Sequence, residues 1–144
     1  MTGIILIGHG NIATGMQSAV KLIFGEPENF QAIDFTQDVI PELLKEKLEK
    51  EIEKIGEEIL ILSDIAGGTP FKTASILSTK KENIKVISGM NLPMILEIIC
   101  ERENMDFNSL YLHSMETGKI QITGFELNEN KSLQLEENSF EDGI

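Results

Sequence analysis

The sequence predicts an α/β fold, a mainly parallel sheet with helices on both faces. Three observations carry this expectation. Short apolar runs alternate along the chain with segments whose apolar residues recur every three or four positions. Two of the runs, Ile4-Ile5-Leu6-Ile7 and Ile59-Ile61 with Leu60 and Leu62, are continuous rather than alternating, as strands buried on both faces are. Several runs end in glycine or aspartate turns.

Taken in order, the first run ends at Gly8-His9-Gly10. Ile12, Met16, Ala19, Val20 and Ile23 then mark a helix that stops near Gly25. Phe30 to Phe35 forms a second strand. Pro41 opens a helix striped by Leu44, Leu48, Ile52 and Ile55, and Gly56 closes it. Glu58 to Ser63 is a third strand that ends at Asp64. Gly67-Gly68-Thr69-Pro70 is a turn, with Thr69 as N-cap and Pro70 at the first helical position. The helix it opens runs through Ala74 and Leu77. Ile84 to Ile87 is a fourth strand, and Leu92 to Cys100 and Asp106 to Met115 are two more helices. Ile120 to Leu127 reads as a weaker late strand.

The 144 residues suit one domain with a sizeable core, and 41% apolar with 25% charged residues is ordinary for a globular protein. The net charge of −12 would repel nucleic acid and anionic membranes, so neither is an expected partner. Much of the acid lies in Glu42 to Glu58, where it alternates with lysine on a solvated helix face, and in a polar tail at 131–144. A single cysteine, Cys100, rules out an internal disulfide and fits a reducing compartment. Its apolar surroundings predict a buried, inert thiol. The N-terminus lacks the basic flank and cleavage site of a signal peptide, so a cytoplasmic location is expected.

Chemistry is suggested by what falls at the strand ends. In doubly wound folds ligands meet the carboxyl ends of strands where connections diverge. His9 lies between two glycines, which allow a sharp turn and leave room at the imidazole. A carboxylate such as Asp64 can hold one ring nitrogen and leave the other free. The amides of Gly67-Gly68-Thr69, at a helix start, suit an anion. Each feature alone has a plainer explanation: a turn histidine, a turn aspartate, a glycine turn with a cap. Together they suit phosphoryl transfer, where positioning and charge stabilisation dominate. The two loops meet if the first and third strands are neighbours. His113, beside Leu110 and Leu112, reads as a surface or packing residue. Paired metal-ligand spacing, a Walker loop and a dinucleotide fingerprint are all missing from the sequence, so neither metal nor cofactor is implied.

Five segments in order resemble the EIIA component of the mannose family of the bacterial phosphoenolpyruvate-dependent sugar phosphotransferase system. They are Ile4 to Gly10, Ala32-Ile33-Asp34-Phe35, Asp64 to Phe71, Val86 to Met94, and Met115-Glu116-Thr117-Gly118. The resemblance implies that His9 takes a phosphoryl group from HPr and gives it to a IIB component, which serves the membrane IIC and IID components. Asp64 would orient His9, and Gly67, Gly68 and Thr69 would bind the phosphoryl oxygens. Where the family often has serine, this chain has Thr69. Where it has a tryptophan after the aspartate, this chain has Ile65 and Ala66. The resemblance further implies a carrier domain over residues 1–130 and a homodimer that exchanges the late strand. Two other functions fit the same residues: a phosphohistidine subunit feeding dihydroxyacetone kinase, and a binding module regulated by phosphorylation.

Overall fold

The computed structural model describes residues 1–127. The acidic tail expected at 131–144 lies outside them. Four strands and five helices follow one another as β1 (Gly3–His9), α1 (Ile12–Ile23), β2 (Phe30–Phe35), α2 (Pro41–Ile55), β3 (Ile59–Ser63), α3 (Thr69–Ser78), β4 (Ile84–Ser88), α4 (Leu92–Glu101) and α5 (Phe107–Ile120). The strands form one sheet in the order β2-β1-β3-β4, and every pairing is parallel. None of the described helices is long and apolar enough to cross a membrane.

Strand parity builds two cores. Ile4, Leu6, Leu60 and Leu62 point to one face, where they pack with α1, α4 and α5 through Ala13, Val20, Ile95, Ile98 and Leu110. Ile5, Ile7, Ile59 and Ile61 point to the other, under α2 and α3, with Leu44, Leu48, Ile52, Ala74 and Leu77. The inner strands β1 and β3 are therefore apolar at nearly every position, because both faces are covered. A buried arginine ties the end of α4 to the sheet. Arg102 donates from Nη1 to the Thr2 carbonyl (3.2 Å) and from Nη2 to the Glu28 carbonyl (2.8 Å). Burial pushes its pKa down, against the opposing charges of Glu103 and Glu28.

Three expectations change. Cys100 is exposed. The buried stripe of α4 is Met94, Ile95, Ile98 and Ile99, and one further residue turns about 100° away from it. The expected late strand is not formed: α5 runs to Ile120, and 122–127 has no regular structure. A strand needs a partner, and none of the four described strands pairs with this segment. The helix extends through Gly118 rather than ending before it. A Cβ there would lie 2.6 Å from Met94 Cε, so the glycine allows α5 to approach α4 closely. The Gly118 carbonyl accepts from Asn91 Nδ2 (2.9 Å), while Asn91 Oδ1 accepts from the Met94 amide at the start of α4. Two of the five sequence segments thus meet each other at one helix contact. The third change concerns Thr69 and belongs to the site.

Candidate functional site at the β1–β3 switch point

From β1 the chain turns into α1 on one face of the sheet, and from β3 into α3 on the other. The crevice between their carboxyl ends is a topological switch point. The expected adjacency of the two loops is present, since β1 pairs with β3 from Gly3↔Ile59 to Ile7↔Ser63.

His9 is the last residue of β1. It continues the parity of Ile5 and Ile7, so its side chain emerges on the α2–α3 side. Its ring packs edge-on against Phe35, the residue opposite it on β2, with centroids 5.9 Å apart and planes at 74°. Asp64 Oδ2 accepts two hydrogen bonds from this one residue, from the His9 amide at 2.9 Å and from Nδ1 at 2.7 Å. Ser63 Oγ donates to the other oxygen at 3.2 Å. The His9 side chain is 46% exposed and that of Asp64 is 10% exposed. The ring therefore faces solvent while its holder is sheltered.

Burial raises the Asp64 pKa. The hydrogen bonds from the His9 amide, the His9 ring and the Ile65 amide, with the charge of His9, outweigh it, and the net result is a carboxyl held below its usual range. An ionised carboxylate only accepts, so the shared proton sits on Nδ1, and in the neutral ring it is Nε2 that carries the lone pair. The backbone of Asp64 is anchored from behind by the loop after β4. The Gly89 amide donates to the Asp64 carbonyl (3.1 Å) and the Met90 amide to that of Ser63 (3.0 Å).

Nε2 looks at the start of α3. A Cβ placed on Gly68 would lie 2.9 Å from Nε2 and overlap Cε1. Gly68 is extended (φ −99°, ψ 174°) and its carbonyl accepts from Lys72, so Gly68 and not Thr69 is the N-cap. Thr69 already has helical geometry, and Pro70 stands second. The first amides of a helix lack intrahelical acceptors, and α3 has no acidic residue in its first turn and no side-chain cap. The end of α3 beside Nε2 is thus an open, positively polarised site for an anion. Gly67, at φ +117°, allows the turn that brings it there.

Gly8 has the opposite task. A Cβ on it would overlap Ile12 Cγ2 and lie 3.1 Å from the Asp64 carboxyl carbon, so a bare backbone is what lets Asp64 reach His9. His113 sits elsewhere, between α5 and α4, with Nε2 2.6 Å from Glu97 Oε1. Two contributors escaped the sequence reading: Phe35, and the pair in which Thr14 donates its amide and hydroxyl to the Asp34 carboxylate. Both sit in the Ala32-Ile33-Asp34-Phe35 segment or bond to it, but their contact with the histidine loop depends on strand register.

A doubly wound sheet, a carboxylate-held histidine and an open helix start in one crevice define an α/β protein suited to hold and pass an anionic group. Comparison with known proteins identifies which. The family described as "PTS system fructose IIA component" matches residues 3–115. The sorbose-specific EIIA component of Lacticaseibacillus casei is 38% identical over 78% of this chain and 83% of its own length. The fructose-specific EIIA component of Bacillus subtilis (strain 168) is 30% identical over 92% and 93%. The mannose-specific EIIAB component of Escherichia coli (strain K12) is 36% identical over 83% of this chain but 38% of that longer protein. The crystal structure of an EIIA component from Streptococcus agalactiae superposes with a TM-score of 0.81 at 32% identity, covering 87% of this chain and 98% of that one.

The chain belongs to the mannose-family EIIA components of the sugar phosphotransferase system. Its role is that of a phosphotransfer protein in sugar uptake. Membership does not favour the dihydroxyacetone kinase subunit or the regulatory module.

Proposed function

We propose that His9 is the phosphorylated residue, accepting a phosphoryl group from HPr and donating it to a IIB component in the cytoplasm, with the IIC and IID membrane components served through IIB. The observation that carries this is the 2.7 Å bond from Nδ1 to Asp64, which leaves Nε2 as the free nucleophile in front of α3. In the forward step a bond forms between Nε2 and phosphorus as the donor's bond to the same phosphorus breaks. Asp64 keeps the proton on Nδ1 and offsets the positive charge that grows on the ring. The backbone around Gly67, Gly68 and Thr69, with the Thr69 hydroxyl, receives the phosphoryl oxygens. Residues 1–130 act as one carrier domain.

The test is incubation with phosphoenolpyruvate, enzyme I and HPr, followed by mass spectrometry of the digested chain. One phosphoryl group per chain is expected on the peptide holding His9, labile in acid and stable in alkali. Label on the His113 peptide instead removes His9 from the pathway.

The same protein is proposed to be a homodimer that exchanges the segment after α5. Support comes from the side chains of that region: Ile120, Ile122, Phe125 and Leu127 are 64–78% exposed in the single chain. Such a run is a ready partner for a sheet edge. Chains truncated after residue 121 are expected to sediment as monomers or to aggregate, while the full chain sediments as a dimer. A full-length monomer at micromolar concentration excludes the exchange.

A further inference from the structure

The segment from Gly8 to Asn11 carries His9 between two glycines, and Gly10 sits at φ +58° with open space around it. Such a segment has little stiffness of its own. Asp64 holds its near end. At its far end α1 begins without a local cap: Asn11, the N-cap, makes no side-chain bond to the helix, and the first turn holds no acidic residue. The cap comes from the neighbouring strand. Asp34, opposite Gly8 on β2, accepts from the Thr14 amide through Oδ1 (3.0 Å) and from the Thr14 hydroxyl through Oδ2 (2.6 Å). Thr14 is the third residue of α1, the position whose amide an N-cap side chain ordinarily serves. The next residue of β2, Phe35, binds the Gly10 amide with its carbonyl (2.8 Å) and touches the His9 ring with its own.

We propose that Asp34 is a positioning residue for phosphoryl transfer. By fixing the first turn of α1 to β2 it fixes the far end of the histidine segment, and so the aim of Nε2 at the start of α3. The proposal rests on His9 being the phosphorylated residue. Asp34 does not touch the reacting atoms, so its effect falls on the maximal rate and leaves donor binding unchanged. Small misplacements of reacting groups are costly, and loss of the tether is expected to slow transfer about ten- to a hundredfold.

Single-turnover transfer from phosphorylated HPr, with donor concentration varied, tests this beside thermal melts of the same proteins. Asp34→Ala is expected to lose about ten- to a hundredfold in maximal rate with an unchanged half-saturating donor concentration. Asp34→Asn keeps a carbonyl oxygen for the Thr14 amide and is expected to stay within about threefold of wild type. Thr14→Val, which keeps the amide bond and deletes the hydroxyl's bonds to Asp34 and to the Asn11 carbonyl, is expected to fall between. A lowered melting temperature with a wild-type maximal rate in Asp34→Ala overturns the proposal. Should Asp34→Ala not fold, a wild-type maximal rate in a folded Asp34→Val, which suits a strand and offers Thr14 no acceptor, overturns it equally. Wild-type protein left unlabelled at His9 is a different result, and it removes the assignment of His9 and this proposal together.

Discussion

Gly68→Ala is expected to reduce the rate of phosphorylation from HPr at least about a hundredfold while leaving the protein folded. The new methyl group would overlap His9 Cε1 and stand 2.9 Å from Nε2. It would occupy the space through which, in the proposed mechanism, the phosphorus approaches Nε2. A ring that turns away to escape breaks the 2.7 Å bond that fixes its tautomer. Both losses act on the same step, and a displacement of about 1 Å alone can cost a hundredfold. The backbone gives no reason to unfold, because Gly68 has extended angles open to alanine. Stability should move by about 1 kcal/mol or less, with reduced freedom of the unfolded chain offsetting the poorer cap.

Gly67→Ala supplies the contrast. Its Cβ meets nothing within 4 Å, but its φ of +117° is a glycine conformation. It should cost about 1–3 kcal/mol of stability and slow transfer less than Gly68→Ala does. Single-turnover labelling and urea melts of the two proteins separate them. A near wild-type rate in Gly68→Ala would mean that the ring does not react in front of α3.

The two neighbouring glycines show why part of the site was legible in the sequence and part was not. His9, Asp64 and Gly67-Gly68-Thr69 stand at ends of apolar runs, and a continuous run needs no partner to be recognised. Their meeting required one further fact, that β1 and β3 are neighbours, which the motif positions suggested and the register supplies. The cap was misplaced by one residue because Thr69-Pro70 has the usual chemistry of a helix start, whereas Gly68 has none to display. Asp34 and Phe35 were invisible as site residues for a stronger reason. Their roles arise from the pairing of β1 with β2, Gly8↔Asp34 and His9↔Phe35, and no local pattern encodes the partner of a strand. Cys100, which is exposed, and the 120–127 segment, which forms no strand within the single chain, depart from expectation for the opposite cause. Both are apolar in composition, and composition does not say which side of a helix a residue takes or whether a strand finds an edge.

Asp64→Asn is expected to lower the phosphorylation rate by at least two orders of magnitude, about 3 kcal/mol at the transition state. The substitution keeps the size of the side chain and its preference for turns. It removes the charge that offsets the developing imidazolium, and its NH₂ group can face Nδ1 and draw the proton to Nε2, the wrong nitrogen. An effect on stability near neutral pH should be smaller, about 1 kcal/mol. That contribution has a definite pH dependence. The Asp64 carboxyl is held below its ordinary value of 3.8 in the folded protein by the bonds from His9 and Ile65, which outweigh its burial. Its stabilisation is therefore complete above that value and fades as pH falls through it and below, where the folded carboxylate takes up its proton. Asparagine has no proton to take up at this site. Urea midpoints of wild type and Asp64→Asn should differ at pH 7 and draw together below about pH 4, the wild type losing more. If Asp64 merely shapes the turn after β3, asparagine serves nearly as well and the rates agree. Single-turnover labelling beside the two melts decides it, since a wild-type rate in a folded Asp64→Asn protein leaves His9 without the group proposed to orient it.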